Sequence, residues 1–388
     1  MFSISNFKVE IDTTDISAMV TSMNLYESIH GNVKGTIHIE DKLNFFDHFF
    51  RGIAMTPVKI SYTYFDEHLE IDLYADGVTD QNITKMGKSY NVILSSLLNL
   101  NAATTRICNV YSGTSNDILA SLWKETHGEA AILMLDSDTT SNGKYVVPNL
   151  SAGECIQAVV NSSYDVDNTG MFLYQRLADQ GITRFTSVDT MVNNPFNPIA
   201  NDRQPFVIRN EEITLESALG VNGTIGTCSR FTLKEYNKDF ISKLSAGMWG
   251  QKVTQIALDE TTNEVHNKKE VTDIEITKFS LSKNLYSYEI GTDGDISSPK
   301  SLFTPESIVS EEILVNMKYR LFNTNLLANG VVAIPGIGCG MTVEVNQGSN
   351  NISATKTDGT YLVANINHLY NMEDGEMEYS QNLGLVRE

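Results

Sequence analysis

The sequence predicts a mainly β protein with α/β inserts, and three observations carry that expectation. Apolar and polar residues alternate with period two through most of residues 1–104. The same alternation returns near the C-terminus. Between these stretches, capping boxes open amphipathic helices.

In residues 1–104, Val33, Gly35, Ile37 and Ile39 alternate with Lys34, Thr36, His38 and Glu40. Val58, Ile60, Tyr62 and Tyr64 alternate with Lys59, Ser61, Thr63 and Phe65. Leu69, Ile71 and Leu73 alternate with Glu70, Asp72 and Tyr74. Such strands pack one face and leave the other polar. Asp66-Glu67-His68 reads as the hairpin loop between two of them, and 44–51 as a helical or irregular connection. Short strands at this spacing suggest a barrel or a sandwich.

Residues 105–200 change character. Thr114-Ser115-Asn116-Asp117 is a capping box ahead of Ile118, Leu119, Leu122 and Trp123 on one helical face. Ser151-Ala152-Gly153-Glu154 is a second, ahead of Ile156, Val159 and Val160, and Met171-Phe172-Leu173-Tyr174 reads as a strand. Asn193 to Pro198 closes this α/β insert with turn residues. Residues 201–235 return to strand, ending in Ser229 to Leu233. Residues 236–303 form a polar second insert with a strand-like Val271 to Ser282 and a loop from Gly291 to Pro299.

Thr304-Pro305-Glu306 is a helix start, with Thr as N-cap, Pro in the first turn and an acid behind it. Val309, Ile313, Met317 and Leu321 form the apolar stripe of that helix, and Lys318 and Arg320 suit its C-terminal end. An apolar run from Leu326 to Ile334 follows, broken by Pro335-Gly336. Met341 to Val345 resumes the alternation, Gly359 to Tyr370 makes another strand, and Glu373-Asp374-Gly375 turns into a last one.

These C-terminal strands echo the first region. Thr56 to Ile60 resembles Met341 to Val345 at an offset of 285 residues. Leu73 to Val78 matches Tyr361 to Ile366, and Gly87 to Tyr90 matches Gly375 to Glu378, both at 288. A duplicated β unit is therefore expected.

Composition excludes several classes. The chain has 388 residues, 41% apolar and 20% charged, which is ordinary for a folded protein. A net charge of −20 opposes a nucleic-acid surface and docking on anionic lipid. Cys108, Cys155, Cys228 and Cys339 lie far apart, so zinc and redox pairs fail. No signal-peptide pattern opens the chain, and no apolar run approaches the ~20 residues of a membrane span. Synthesis in the cytoplasm and no membrane insertion are the expectation.

Chemistry fares no better. Asp165-x-Asp167-x-Thr169-Gly170 has half a calcium loop, but Arg176 stands where a bidentate Glu is needed. Gly336-Ile337-Gly338-Cys339-Gly340 precedes a strand instead of the helix a dinucleotide fingerprint requires, and fits a bulged Gly-rich strand. Asp72, Asp76 and Asp80 could be drawn as a carboxylate pair, a signal any acidic chain offers. His38 on a polar face and His368 at a strand end read as solvated or hydrogen-bonded. No catalytic residue, metal site or cofactor is expected.

The C-terminal helix with Glu311-Glu312, the Asn329-Gly330 to Val345 segment with its Pro-Gly break, and Tyr361-Leu362-Val363-Ala364-Asn365-Ile366-Asn367-His368 resemble the baseplate hub proteins of contractile-tailed bacteriophages. Relatives of that family occur in type VI secretion spike proteins and other contractile injection particles. The Asp117-Ile118-Leu119 and Glu154-Cys155-Ile156 helices, Met171 to Tyr174 and Ser229 to Leu233 follow the family's order; 236–303 does not align.

The resemblance implies two tube-like antiparallel β-barrel domains, forming a pseudo-sixfold ring in a homotrimer. The first is 1–104 and the second is 201–235 with 304–388; 105–200 is the inserted α/β domain and 236–303 a second insert. It implies a structural hub joining the sixfold tail tube to the threefold spike. The partners are a spike protein, a tube or tube-initiator protein, tape-measure protein, and DNA that transits without specific binding. The spike is expected as a separate polypeptide, because the chain ends just after the last barrel strand. The setting is the virion tail baseplate; the alternatives are a type VI-like or extracellular injection particle and, from another class, a tail-associated cell-wall hydrolase. Glu40, Glu70, Asp72 and Glu344, on polar strand faces, are the candidate lumen or subunit-contact acids.

Overall fold

The computed structural model describes residues 2–42, 45, 55–64, 67–84, 87–139, 142–165, 170–177, 179, 181–193, 206–209, 225–236, 251–259, 268–275, 282–290, 324–331, 337–346 and 358–387. The 304–321 helix with Val309, Ile313, Met317 and Leu321 lies outside these residues, as do most of 44–51 and all of 291–299.

The protein is mainly β. In the first half the strands are β1 Ser5–Ile11, β2 Val20–Ser28, β3 Gly31–Asp41, β4 Thr56–Tyr64, β5 Glu67–Thr84 and β6 Gly87–Ser95. In the second half they are β7 Phe206–Arg209, β8 Arg230–Tyr236, β9 Thr324–Val331, β10 Thr342–Asn346, β11 Gly359–Glu373 and β12 Glu376–Arg387. All belong to one large sheet, and among the described residues its path does not close into a barrel.

Alternation decides which face is buried. Val58, Ile60, Tyr62 and Tyr64 point into the first core with Leu25, Ile37, Leu73 and Val92. Each such aliphatic side chain contributes about 1.5–3 kcal/mol. Tyr64 pairs with Glu67, so Glu67 and His68 belong to β5 and the hairpin is tighter than the expected Asp66-Glu67-His68 loop.

The halves share one strand order, β2-β3-β6-β5-β4 and β8-β9-β12-β11-β10. They share register too. Val58 opposes Leu73 in the first, and Val343 opposes Tyr361 in the second. Gly35 opposes Leu94 and Leu25; Leu326 opposes Leu385 and Leu233. β5 bulges between Ala75 and Gly77, and β11 bulges at the matching place, between Val363 and Asn365. Leu94 matches Leu385, so the third strand is shifted by three residues from the Gly87–Gly375 alignment that sequence suggested. The extra residues lie in the second hairpin.

The halves meet along β11. Its first residues pair with β10; further along the same edge, Asn365 to Asn371 pair with Ser28 to Ser22 of β2.

The insert has its own core. Helices α1 Leu97–Thr104, α2 Ser115–His127 and α3 Ala152–Ser162 pack on the Met171–Gln175 strand. Both expected capping boxes form, Thr114 with Asp117 and Ser151 with Glu154. In the second insert, Gln251–Asp259, Lys268–Glu275 and Ser282–Ile290 form a three-stranded sheet.

Candidate functional site

The strongest polar constellation lies where both halves and the insert converge. On β2, Met23, Leu25 and Glu27 occupy the core-facing register, so the strand buries an acid fully. An ionisable group there requires several hydrogen bonds. Glu27 Oε1 accepts from the Leu177 N–H at 3.0 Å, and Oε2 accepts from the Cys339 N–H at 3.3 Å. His368 Nε2 lies 3.0 Å from Oε1, and its Nδ1 lies 2.6 Å from the Tyr379 hydroxyl. One consistent set of protons has Nε2–H donating to Glu27 and Tyr379 O–H donating to Nδ1, while Gln381 donates to Tyr379 at 2.9 Å.

Tyrosines extend the network. Tyr62 and Tyr370 share a 2.7 Å hydroxyl contact, and the Tyr370 and Tyr379 rings stack at 4.6 Å. Burial pushes the Tyr62 phenol up to about 12 and raises Tyr370 and Tyr379 well above the ordinary value. Burial likewise raises the Cys339 thiol, so it is neutral and inert.

A second cluster fastens the insert. Arg184 Nε donates to Asp179 at 2.7 Å, and its NH1 reaches Asp136 at 3.1 Å. Arg176 Nε sits 2.9 Å from the same Asp179 oxygen, with its side chain almost wholly buried. Burial raises the Asp136 carboxyl, and Arg184 opposes that shift. The glycine run explains itself here: a Cβ on Gly338 would meet Arg176 Cδ at 2.4 Å, and one on Gly340 would meet the Tyr174 hydroxyl at 2.1 Å. The segment is a docking surface for the insert. Arg176, which broke the calcium pattern, is one of the residues it docks against.

Both clusters are largely buried, with Arg184 and Asp179 slightly exposed. A cleft of about 410 Å³ lies between the insert and the β2–β3 turn, lined by His30, Asn32, Trp123, His127, Gln157 and Phe172 among others. It holds no nucleophile–base pair. Among the described residues, no group of three or more His, Cys, Asp or Glu could hold a metal, and no helix is long and apolar enough to cross a membrane.

The four acids expected from sequence lie apart from these clusters. Glu40, Glu70 and Asp72 are exposed on the polar face of the first half, and Glu344 is half-buried opposite Thr360. Glu70 pairs with Lys59 at 2.9 Å and lies 3.5 Å from His68. Lys34 lies over the Tyr26 ring. Sequence reasoning missed Glu27; the available signal was an acid in the apolar register of Met23-x-Leu25-x-Glu27-x-Ile29. It also placed His368 at a strand end, whereas β11 continues to Glu373 and buries it.

Comparison with known proteins bears on the fold. No family model matches the sequence, and no curated protein matches it. Solved structures do match. A tail protein from Neisseria meningitidis MC58 superposes with a TM-score of 0.58 at 10% identity, over 100% of this chain and 97% of that one. The chain shares the fold of this tail protein. The 43 kDa tail protein of prophage MuSo2 from Shewanella oneidensis agrees, at a TM-score of 0.57 and 8% identity over 98% of each chain. A Francisella PdpA–VgrG complex matches at 0.50 and 10% identity over 98% of this chain and 52% of that one.

Proposed function

We propose that the chain is the central hub of a contractile-tail baseplate, a structural protein without catalysis. The observation that carries this reading is the pair of five-stranded units with matching order, register and bulge in one chain. Two equivalent units per chain let three chains present six, which reconciles a sixfold tube with a threefold spike. Residues 1–104 supply one unit and 201–235 with 304–388 the other, each a tube-like barrel domain once assembled. The 105–200 and 236–303 inserts lie off the ring and touch neighbours.

Partners on this reading are a spike protein, a tube or tube-initiator protein and tape-measure protein. The helix stripe Val309, Ile313, Met317 and Leu321 holds the second unit, so Ile313→Asp should cost several kcal/mol and abolish assembly. DNA passes without sticking because the lumen is acidic. Three chains carry a formal charge of −60, three times the −20 of one, with Glu40, Glu70, Asp72 and Glu344 as candidate lumen or contact groups.

Light scattering of the hub–spike complex should find three hub copies; a reproducible dimer or tetramer would refute the assignment. A cryo-EM map of the ring tests the lumen, and a basic majority on its wall would refute the charge argument. The Francisella VgrG likeness favours a second reading, the hub of a related injection particle. A neighbouring spike or lysozyme gene beside tube genes supports the phage tail.

A further inference from the structure

Each unit has one edge that the other unit explains. In the second, β11 takes β10 and then β2 along a single edge. In the first, β5 takes β4 along that edge as far as Ala75, and among the described residues nothing pairs with it beyond. Conversely, β2 pairs on both edges, with β3 and β11, whereas among the described residues its counterpart β8 pairs with β9 alone. The molecule therefore has one joint made, β2 on β11, and the two halves of an equivalent joint unmade, β8 and the end of β5.

We propose that these two edges bind each other between copies of this chain, β8 of one adding to β5 of the next. The register follows from the repeat. Residues 22–25 of β2 match 230–233 of β8, because both sets face matching residues of β3 and β9. Asp80 and Gln81 bulge from β5, and beyond them Asn82 and Ile83 match Leu369 and Tyr370. In the joint already made, Leu369 opposes Asn24 and Tyr370 opposes Met23. The new joint therefore sets Asn82 against Thr232 and Ile83 against Phe231.

Exposure supports this pairing independently. Tyr370 and Leu25 are each 0% exposed at the internal joint; their counterparts Ile83 and Leu233 are 71% and 43% exposed. Apolar side chains on a bare strand edge invite addition of another strand, and folded proteins retain them where a partner covers them. The contact is head-to-tail, so a rotation that closes gives a ring. This deepens the hub reading and rests on it for the number of copies alone.

The test is a pair of cysteine variants of the full chain in a Cys108→Ser background, which removes the exposed thiol. Asn82→Cys with Thr232→Cys should give a disulfide between chains, mapped by mass spectrometry, with the covalent ladder ending at three. Asn24→Cys with Leu369→Cys should give the equivalent bond within one chain. Ile83→Asp should leave the fold and melting temperature of the single chain unchanged and abolish association. Three-chain particles without the 82–232 bond, while the 24–369 bond forms, would overturn the edge pairing and leave the trimer. A ladder running past three would uphold the edge pairing and overturn the trimer. A chain that stays single while the 24–369 bond forms would overturn both.

Discussion

The two five-stranded units agree in backbone and disagree in side chains, and their differences sit where their surroundings differ. The turn before the β4–β5 pairing holds Met55 at φ 79°, donating its N–H to the Ala75 carbonyl. The matching turn holds Gly340 at φ 78°, donating to the Val363 carbonyl. One backbone geometry is thus filled by an exposed Met in one unit and a buried Gly in the other. The insert packs on the second site, through Tyr174, and a side chain there has no room. The bulge behaves likewise: Asp76 faces solvent, and Ala364 is buried beneath the joint. The outer strands diverge most, since β1 runs antiparallel to β4 and β7 parallel to β10. Register persists where strands must pair, and residue choice follows what covers each unit.

Breaking the joint should have the largest effect. Glu27→Ala leaves His368 and two buried N–H groups without their acceptor and should cost about 3–5 kcal/mol. Calorimetry should then resolve two transitions, one per unit; a single unshifted transition would show that the units do not depend on the Glu27 node.

The matched turns allow a sharper comparison. Gly340→Ala should destabilise by about 2–4 kcal/mol, from the left-handed backbone and the Tyr174 contact together. Met55→Gly should stabilise by about 0.5–1 kcal/mol, relief of strain less the entropy of a freer unfolded chain. Denaturant midpoints moving in the same direction for both would contradict the equivalence of the turns.

Acid should loosen the insert before either unit. Burial lowers His127 to about 4, below its ordinary 6.5, so between those values the unfolded chain takes up a proton that the folded chain refuses. That stability is present above pH 6.5 and is lost as pH falls towards 4. It amounts to about 1–2 kcal/mol after solvent screening. Hydrogen exchange should quicken in the insert ahead of β4 and β10, and His127→Phe should flatten the dependence.

The smallest effect belongs to the exposed Lys59–Glu70 pair. Glu70→Gln should leave the denaturation midpoint unmoved, because water and salt screen such a contact. A clear loss would mean that the polar face of the first unit is more enclosed than it is in the single chain.

Much of this was legible in sequence because strand period and capping chemistry are local. The alternation around Val58 and Val343, and the boxes at Thr114 and Ser151, needed no tertiary knowledge. The β2–β11 joint was not legible, since nothing local tells residue 24 that it will lie beside residue 369. The bulges were also hidden, and the longer second hairpin misaligned the third strand. Glu27 did not stand out among 48 acids because its distinction is burial, which only the assembled sheet supplies.

The joint also sets a timetable. Strand β2 is Val20–Ser28, yet its partner β11 begins at Gly359, more than three hundred residues later in the chain. At roughly 5–20 residues per second on the ribosome, the first unit waits about a quarter of a minute to a minute with a bare edge. Neighbouring nascent chains on one message would hold identical bare edges close together in that interval. Folding before release therefore favours chains kept apart until β11 emerges, and slow translation near the C-terminus would lengthen the interval in which they can mispair.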